Sequence, residues 1–485
     1  MRKLLSVAAA AFLMSGCVIG PDYFRPQVNA PQQWRTDYPD ALNLADTRWW
    51  EQFQDPVLND LIRSALDENK DLRIATARVE EFAGRLQSTN APLFPQIGYQ
   101  AGVGRQRVSE QSGPSDLPAG VDPTYSSYAG VLTASWELDV WGRIRRLTEA
   151  SRADLLASEE GRRTVILTLV STVASGYISL RGTDRQLEIT RATAETYLQT
   201  LRLFELRYKG GVINEMQLAQ VRSQYEQASA RIPVLEQQVA RLENALSVLL
   251  GRNPGPIPRG KAIDELVLGG VPAGLPSDLL ERRPDILAAE QSLVSANARI
   301  GAARALYYPS ISLTGFLGST STEFSDLFSG ATKTWSFAGS LIGPIFDGGA
   351  IDGTVAQAEA RQRSLLHAYQ QTIQNAFREV DDALVDYRKS GESLAAQSRD
   401  VEALKTYARL ANLRFEAGYS DYLEVLDAQR SLFTSQLNFT QSQALRFQSL
   451  VNIYKALGGG WVNEADKLTS SKPKLAEAAA SAPKQ

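Results

Sequence analysis

"LRFEAGYSDYLEVLDAQRS", residues 413–431, repeats in looser form as "LRYKGGVINEMQLAQVRSQ" at 206–224, a constant 207 positions earlier. Each copy carries a basic–aromatic pair, a glycine and then a helix-forming run. Arg414-Phe415 precede Gly418, and Arg207-Tyr208 precede Gly210-Gly211. Glycine accepts the left-handed conformation that ends many helices. Both stretches therefore read as the turn of a helical hairpin, with Gly210, Gly211 and Gly418 at the tips.

The 207-residue register extends well beyond the turns. No proline occurs between Pro123 and Pro233 or between Pro344 and Pro473, and interior proline costs a helix about 3 kcal/mol. Two such gaps permit very long helices. Within the first, Ile166, Val170, Val173, Tyr177 and Leu180 step by 4, 3, 4 and 3, the seam of a coiled coil. Their counterparts Ile373, Phe377, Val380, Leu384 and Tyr387 are apolar or aromatic too. The fixed register marks an internal duplication. A helix of roughly 65 residues, spanning on the order of 100 Å, runs to each turn, and a second helix returns to Leu250 or Leu457. Pro233 lies inside the first return helix, where a kink or irregular turn is expected.

Earlier segments duplicate at an offset of 214. "DLRIATARVEEFAGRLQSTNAPLFPQIGY" (71–99) parallels "DILAAEQSLVSANARIGAARALYYPSISL" (285–313). In both, a helix meets an aromatic–proline step and the period changes from 3.6 to 2. Ile97, Tyr99, Ala101 and Val103 alternate with Gly98, Gln100, Gly102 and Gly104. Further alternating sets run through Tyr128–Leu138, Ile311–Leu317 and Trp335–Ile345. The stretches 110–127 and 319–333 are rich in Gly, Ser, Pro and Asp and read as exposed loops. Four strands with one apolar and one small or polar face suit a barrel wall in lipid. Four strands cannot close a barrel, and an open edge in lipid is prohibitive. The barrel must be shared between chains; three would give twelve strands, wide enough for a lumen.

The N-terminus, "MRKLLSVAAAAFLMSGC", has a basic start, an apolar core and a small-residue exit. Cys17 follows at once and is the only cysteine of the chain, so it has no disulfide partner here. The exit resembles a bacterial lipobox, with Met14 where Leu is usual, and marks Cys17 for acylation. Val18 and Ile19 rather than Asp after the cysteine resemble sorting to the outer membrane.

With these residues assembled, the chain resembles the outer-membrane factor family, the TolC-like ducts, and in it the OprM/NodT-type efflux lipoproteins. The carriers are "GLPSDLLERRPDILAAEQSLVSANARIGAARALYYPSISL" (274–313), "WELDVWGRIRR" (136–146), "YSDYLEVLDAQRSLF" (419–433), "YKALGGGW" (454–461) and "WWEQFQDPVLNDLI" (49–62). The resemblance implies an α+β membrane protein: a trimeric 12-stranded outer-membrane β-barrel, four strands per chain, continued by a periplasmic α-helical barrel of coiled hairpins. It implies as partners a periplasmic adaptor and an inner-membrane RND-type transporter, besides the homotrimer and outer-membrane lipid.

The expected organisation is then as follows. Residues 1–16 are a signal peptide, and 17–53 an anchored extended segment. Repeat 1 covers 54–260, with strands 97–109 and 127–140, long helix 141–208 and return helix 213–251. Repeat 2 covers 261–461, with helix 275–306, strands 310–321 and 334–345, long helix 350–415 and return helix 420–458. The tail 462–485 is expected to be loosely ordered.

In the resembling family, residues matching Leu423 and Asp427 point into the pore as constricting rings. They are four apart and share a face. Three leucines can close a channel sterically and by dewetting, and three carboxylates favour cations. The matching positions of the first turn, Met216 and Gln220, are neutral. Arg414 matches a family position that links neighbouring helices, and Phe415 stands where Tyr is frequent, so a hydroxyl is missing from that lock.

Other chemistry finds no support. Basic and acidic residues number 51 and 54, for a net charge of −3, which gives no bias toward nucleic acid. Mean hydropathy is −0.22, and no long apolar run follows the signal segment, so a spanning helix is not expected. The lone His367 and the lone Cys17 leave no metal cluster or thiol nucleophile, and no enzyme or cofactor is expected beyond the covalent lipid. "GPIPRGK" (255–261) mimics a phosphate loop, but Ala262 replaces the magnesium-binding hydroxyl and two prolines interrupt it. The competing function is a coiled-coil lipoprotein tether, which would have no use for the alternating strands.

Overall fold

The computed structural model describes residues 18–35, 47–109, 122–272 and 276–469. The signal segment, Cys17 and everything beyond 469 lie outside the described residues. By contacts the chain forms two units. One contains the described residues up to Pro26, Glu81–Ala157 and Glu290–Ala368. The other contains Gln27–Glu80, Ser158–Ala289 and the chain from Tyr369 onward.

The helices are α1 (Pro56–Glu68), α2 (Lys70–Asn90), α3 (Arg143–Lys209), α4 (Glu215–Leu249), α5 (Leu279–Arg282), α6 (Pro284–Arg304), α7 (Ala350–Glu416), α8 (Tyr422–Leu457) and α9 (Trp461–Lys467). Strands β1 (Gln96–Arg107), β2 (Thr124–Leu138), β3 (Ser310–Ser321) and β4 (Lys333–Ile342) form one antiparallel sheet in the order β1-β2-β3-β4. Each repeat thus supplies one hairpin.

The sheet register decides how the alternating residues are used. Ile97 faces Ala134, which faces Gly315, which faces Phe337. In the next rung Tyr99, Leu132, Leu317 and Trp335 are aligned. Directly paired residues share a face, so the four alternating sets merge into one apolar surface. That surface is bare in the single chain: Tyr99 is 86% exposed and Phe337 80%. Rungs of the other face are mostly small or polar, as in Gln100, Gly318 and Thr334 or Gly98, Thr133 and Ser336, with Val131 and Phe316 as the apolar members of those two rungs. Hydrophobic burial cannot justify such a surface in water; a surrounding bilayer can. β4 stops at Ile342 rather than running to 345, because Pro344 has no N–H for the ladder.

In the helical unit, the first heptad seam is wholly buried: Ile166, Val170, Val173, Tyr177 and Leu180 are each 0% exposed. Ile373, Val380, Leu384 and Tyr387 are buried as well, and Phe377 is half-buried with its ring edge-on to Trp34. α3 contains a window apolar enough for a bilayer span, but 61% of that window is buried inside the protein. Its apolarity serves the seam.

Several expectations need correction. Helix 275–306 is broken: a 3-10 turn (Pro276–Asp278) leads into the short α5, and Arg283 is extended at φ −83°, ψ 119°. The cause is Pro284, which bars its predecessor from the α region. Pro233 brings no irregular turn, since α4 runs unbroken from Glu215 to Leu249 with Pro233 on its exposed side. Residues 462–469 are not loose either. α9 follows directly on Trp461, which is fully buried edge-on to Trp49 and Trp50. Arg162, itself buried, binds Asp466 at 2.6 Å and Thr469 at 3.1 Å.

Candidate functional site

The hairpin ends are built by helix termination. After α3, Val212 N–H donates to the Arg207 carbonyl at 2.9 Å and Gly211 N–H to that of Tyr208 at 2.9 Å. After α7, Tyr419 N–H donates to Arg414 at 2.8 Å and Gly418 N–H to Phe415 at 3.0 Å. These paired bonds, six-to-one and five-to-two, define the Schellman motif. Its left-handed residue is Gly211 (φ +69°) in one turn and Gly418 (φ +76°) in the other. Gly210 precedes it in the first turn with its N–H on the Leu206 carbonyl.

Between the ends lies a small core of Phe204, Leu218, Val221, Tyr422, Val425 and their neighbours. Phe415 packs against it, edge-on to Tyr422 at 4.9 Å between ring centroids and with Arg207 over its ring at 5.9 Å. Burial pushes the Tyr422 phenol above its ordinary pKa, while the Thr200 hydroxyl pulls it back. A neutral ring at this point anchors the turn.

The remaining residues singled out by sequence face outward together. Leu423 is 55% exposed, which removes it from the coiled-coil core of its own chain. Asp427, one turn later, accepts from Arg430 at 2.7 Å. Arg414 reaches across the turn to Glu424 at 3.3 Å. Arg414, Tyr419, Leu423, Glu424 and Asp427 line a shallow hollow of about 580 Å3. The structure thus brings Leu423, Asp427 and Arg414 to one surface and sends Phe415 to the core beneath. Sequence reasoning missed Glu424 and Arg430. The three-residue step from Asp427 to Arg430 was a readable signal; the Arg414–Glu424 pair needed the turn geometry. Exposed pairs of this kind contribute under about 1 kcal/mol, so the carboxylate of Asp427 remains available to a passing ion.

Within the strand unit, the segment following Cys17 is strapped down by backbone and side-chain bonds. Ile19 N–H donates to the Trp141 carbonyl at 3.2 Å. The buried Arg146 donates to the Ile19 carbonyl at 3.2 Å and pairs with Asp22 at 2.8 Å. Gly20 lies so close to Gly301 that a Cβ there would sit 2.3 Å from its Cα. Cys17 itself is outside the described residues.

Known proteins share this arrangement. The family model described as "Outer membrane efflux protein" matches residues 61–252 and 275–459. The chain belongs to the outer membrane efflux protein family. It is 39% identical over 461 residues to the solvent efflux pump outer membrane protein SrpC of Pseudomonas putida, covering 93% of this chain and 97% of that one. It is 37% identical over 467 residues to the probable outer membrane lipoprotein SilC of Salmonella typhimurium, covering 95% and 99%. The open-state MtrE outer membrane channel of Neisseria gonorrhoeae superposes with a TM-score of 0.83 at 33% identity, covering 92% of this chain and 99% of that one. The chain is accordingly an outer-membrane channel, the exit duct of an efflux pump, extending into the periplasm. Its four strands are one share of a trimeric twelve-stranded barrel continued by coiled helical hairpins. The tether alternative falls away.

Proposed function

We propose that the chain works as a homotrimer in a tripartite pump, taking small molecules from an inner-membrane RND-type transporter through a periplasmic adaptor. The observation that supports this most is the sheet with a continuous apolar face and two unpaired edges, β1 and β4. Edges of that kind demand partners in lipid. The duct conducts passively and performs no catalysis.

Cys17 carries the covalent lipid in this proposal, and the strap through Ile19, Gly20 and Asp22 holds it near the membrane. Leu423 and Asp427 from three chains form the periplasmic gate, supported by their shared exposed face. Arg414 stiffens the turn that presents them, and Phe415 anchors it from the core. Purified trimer should give discrete single-channel conductance in planar bilayers, and mass spectrometry of the mature N-terminus should show an acylated Cys17. Crosslinking that stops at dimers would overturn the trimer; an unmodified Cys17 would overturn the anchor.

A further inference from the structure

We propose that a cavity in the strand unit, between α3, α6 and α7, is a binding site for amphipathic organic monoanions in transit through the duct. The cavity holds about 890 Å3, within the range of sites for drug-sized ligands. Its apolar part comes from Leu147, Ala302, Leu306 and Leu365, and Thr354 and Gln357 supply polar groups.

The charges of the lining set the sign of the ligand. Arg143, Arg299 and Arg361 stand against the single carboxylate of Asp154. Arg143 is committed to Glu137 through two bonds of 2.8 and 2.9 Å. Arg299 is committed to Asp154 at 2.6 Å. Arg361 is exposed and has no ion pair among the described residues. One guanidinium is left over beside an apolar floor. That pairing fits a ligand with one carboxylate or sulfonate on a hydrophobic body, since a guanidinium binds such groups through a planar fork. A cation would meet the repulsion of Arg361, and a polyanion would find only one free partner.

The cavity also has a side. Pro21 and Tyr23 of the N-terminal strap bind Asn297 and Glu290, and Gly20 packs on Gly301. At 100° per residue, Ser295, Arg299 and Ala302 lie on the opposite face of α6, and Leu306 follows in the 3-10 turn after it. The strap leads to the lipid-bearing Cys17 and so runs on the membrane-accessible outside of the wall. The cavity then opens inward. This placement rests on the duct and anchor readings; binding at the cavity does not.

The test is a calorimetric titration of the full-length trimer in lipid nanodiscs with 1-naphthalenesulfonate, against empty nanodiscs. Saturable binding is expected, weakened about tenfold in Arg361→Gln and by a smaller factor in Arg361→Lys, which keeps the charge but loses the fork. 1-Naphthylmethylammonium should not bind saturably. Native gels check that the trimer persists in both variants. Uptake equal to that of empty nanodiscs, an affinity unchanged by Arg361→Gln, or equal binding of the cation overturns the proposal. Bilayer conductance reads the duct separately: a conducting trimer without binding loses only this site, and a binding trimer without conductance loses only the duct.

Discussion

At Gly211 and at Gly418 the backbone stops a long helix with the same two hydrogen bonds and the same left-handed glycine. What the turns then show to solvent is different. The first presents Val212 and Met216, with the neutral Gln217 and Gln220 at the positions of Glu424 and Asp427. The second presents Tyr419, Leu423 and the ion pairs Arg414–Glu424 and Asp427–Arg430. Duplication has preserved what ends a helix and changed the residues around it. The proposed gate therefore belongs to one hairpin of the two, an asymmetry that mutation can break or sharpen.

The largest effect should come from the gate. Leu423→Ala with Asp427→Ala should raise resting conductance several-fold in planar bilayers, while the trimer persists. Met216→Ala with Gln220→Ala should leave conductance within about twofold. Equal responses in the two doubles would end the assignment of the gate to the second hairpin alone.

A second asymmetry sits deeper in the repeat. Tyr177 occupies the seam position that Leu384 fills in the second copy. Its hydroxyl donates to the buried Asp55 at 2.8 Å and accepts from Gly260 N–H at 2.9 Å. Asp55 also caps α1 through Val57 N–H and accepts from Lys261 N–H. The stretch that mimics a phosphate loop is thus spent on closing this core. Burial, and next the bond to Asp55, raise the phenol pKa well above its ordinary value. Unfolded chain ionises first, near pH 10. The stabilisation is thus complete below about pH 10 and is lost as pH rises from there through the folded value. Tyr177→Phe should cost about 1–3 kcal/mol at neutral pH, because a buried acceptor and donor lose their partner. The thermal midpoints of wild type and variant should converge above pH 10; parallel curves would contradict the lock.

Shared backbone makes a prediction of equality. A Cβ added at Gly211 or at Gly418 would meet no atom within 4 Å, so alanine meets only left-handed strain, about 1–2 kcal/mol. Gly211→Ala and Gly418→Ala should loosen their turns alike, as read by amide exchange. Gly251→Ala makes the contrast, since its Cβ would lie 2.1 Å from the Glu68 carbonyl oxygen as well as at φ +71°. It should be the worst of the three.

How much of this was legible depends on the kind of signal. Periodicity carried the seams and strands because burial acts on every third or fourth residue of a helix and every second of a strand. The break at Arg283 is written in Pro284, but a strong helical pattern on either side masks it. The order of residues 462–469 was hidden because it depends on Trp461 meeting Trp49 and Trp50 from four hundred residues away. At the proposed gate, sequence supplied Leu423 and Asp427 through resemblance, whereas their common exposure and the Arg414–Glu424 pair are matters of geometry. The cavity at Arg361 had no sequence signal, since its charge matters only after Arg143 and Arg299 have found partners.

The smallest expected difference lies in how the return helices begin. Asn214 accepts from Gln217 N–H at 2.9 Å, and the Gln217 side chain accepts from Asn214 N–H at 3.2 Å, a reciprocal box at the start of α4. At α8 the cap is Asp421, whose carboxylate accepts only from Tyr422 N–H, at 2.6 Å. Glu424, which stands where Gln217 closes the first box, is turned to Arg414 instead. The second helix has exchanged half of its capping box for an ion pair. Asn214→Ala should therefore cost about 1 kcal/mol, read as faster amide exchange in the first turn of α4. Asp421→Ala should cost less, on the order of 0.5 kcal/mol, chiefly the attraction between a carboxylate and a helix N-terminus. That attraction is screened by salt, whereas a neutral amide cap is not. Raising ionic strength should shrink the Asp421→Ala effect and leave the Asn214→Ala effect unchanged. The opposite salt response would mean that the two turns differ in something other than the use of the residue three places after the cap.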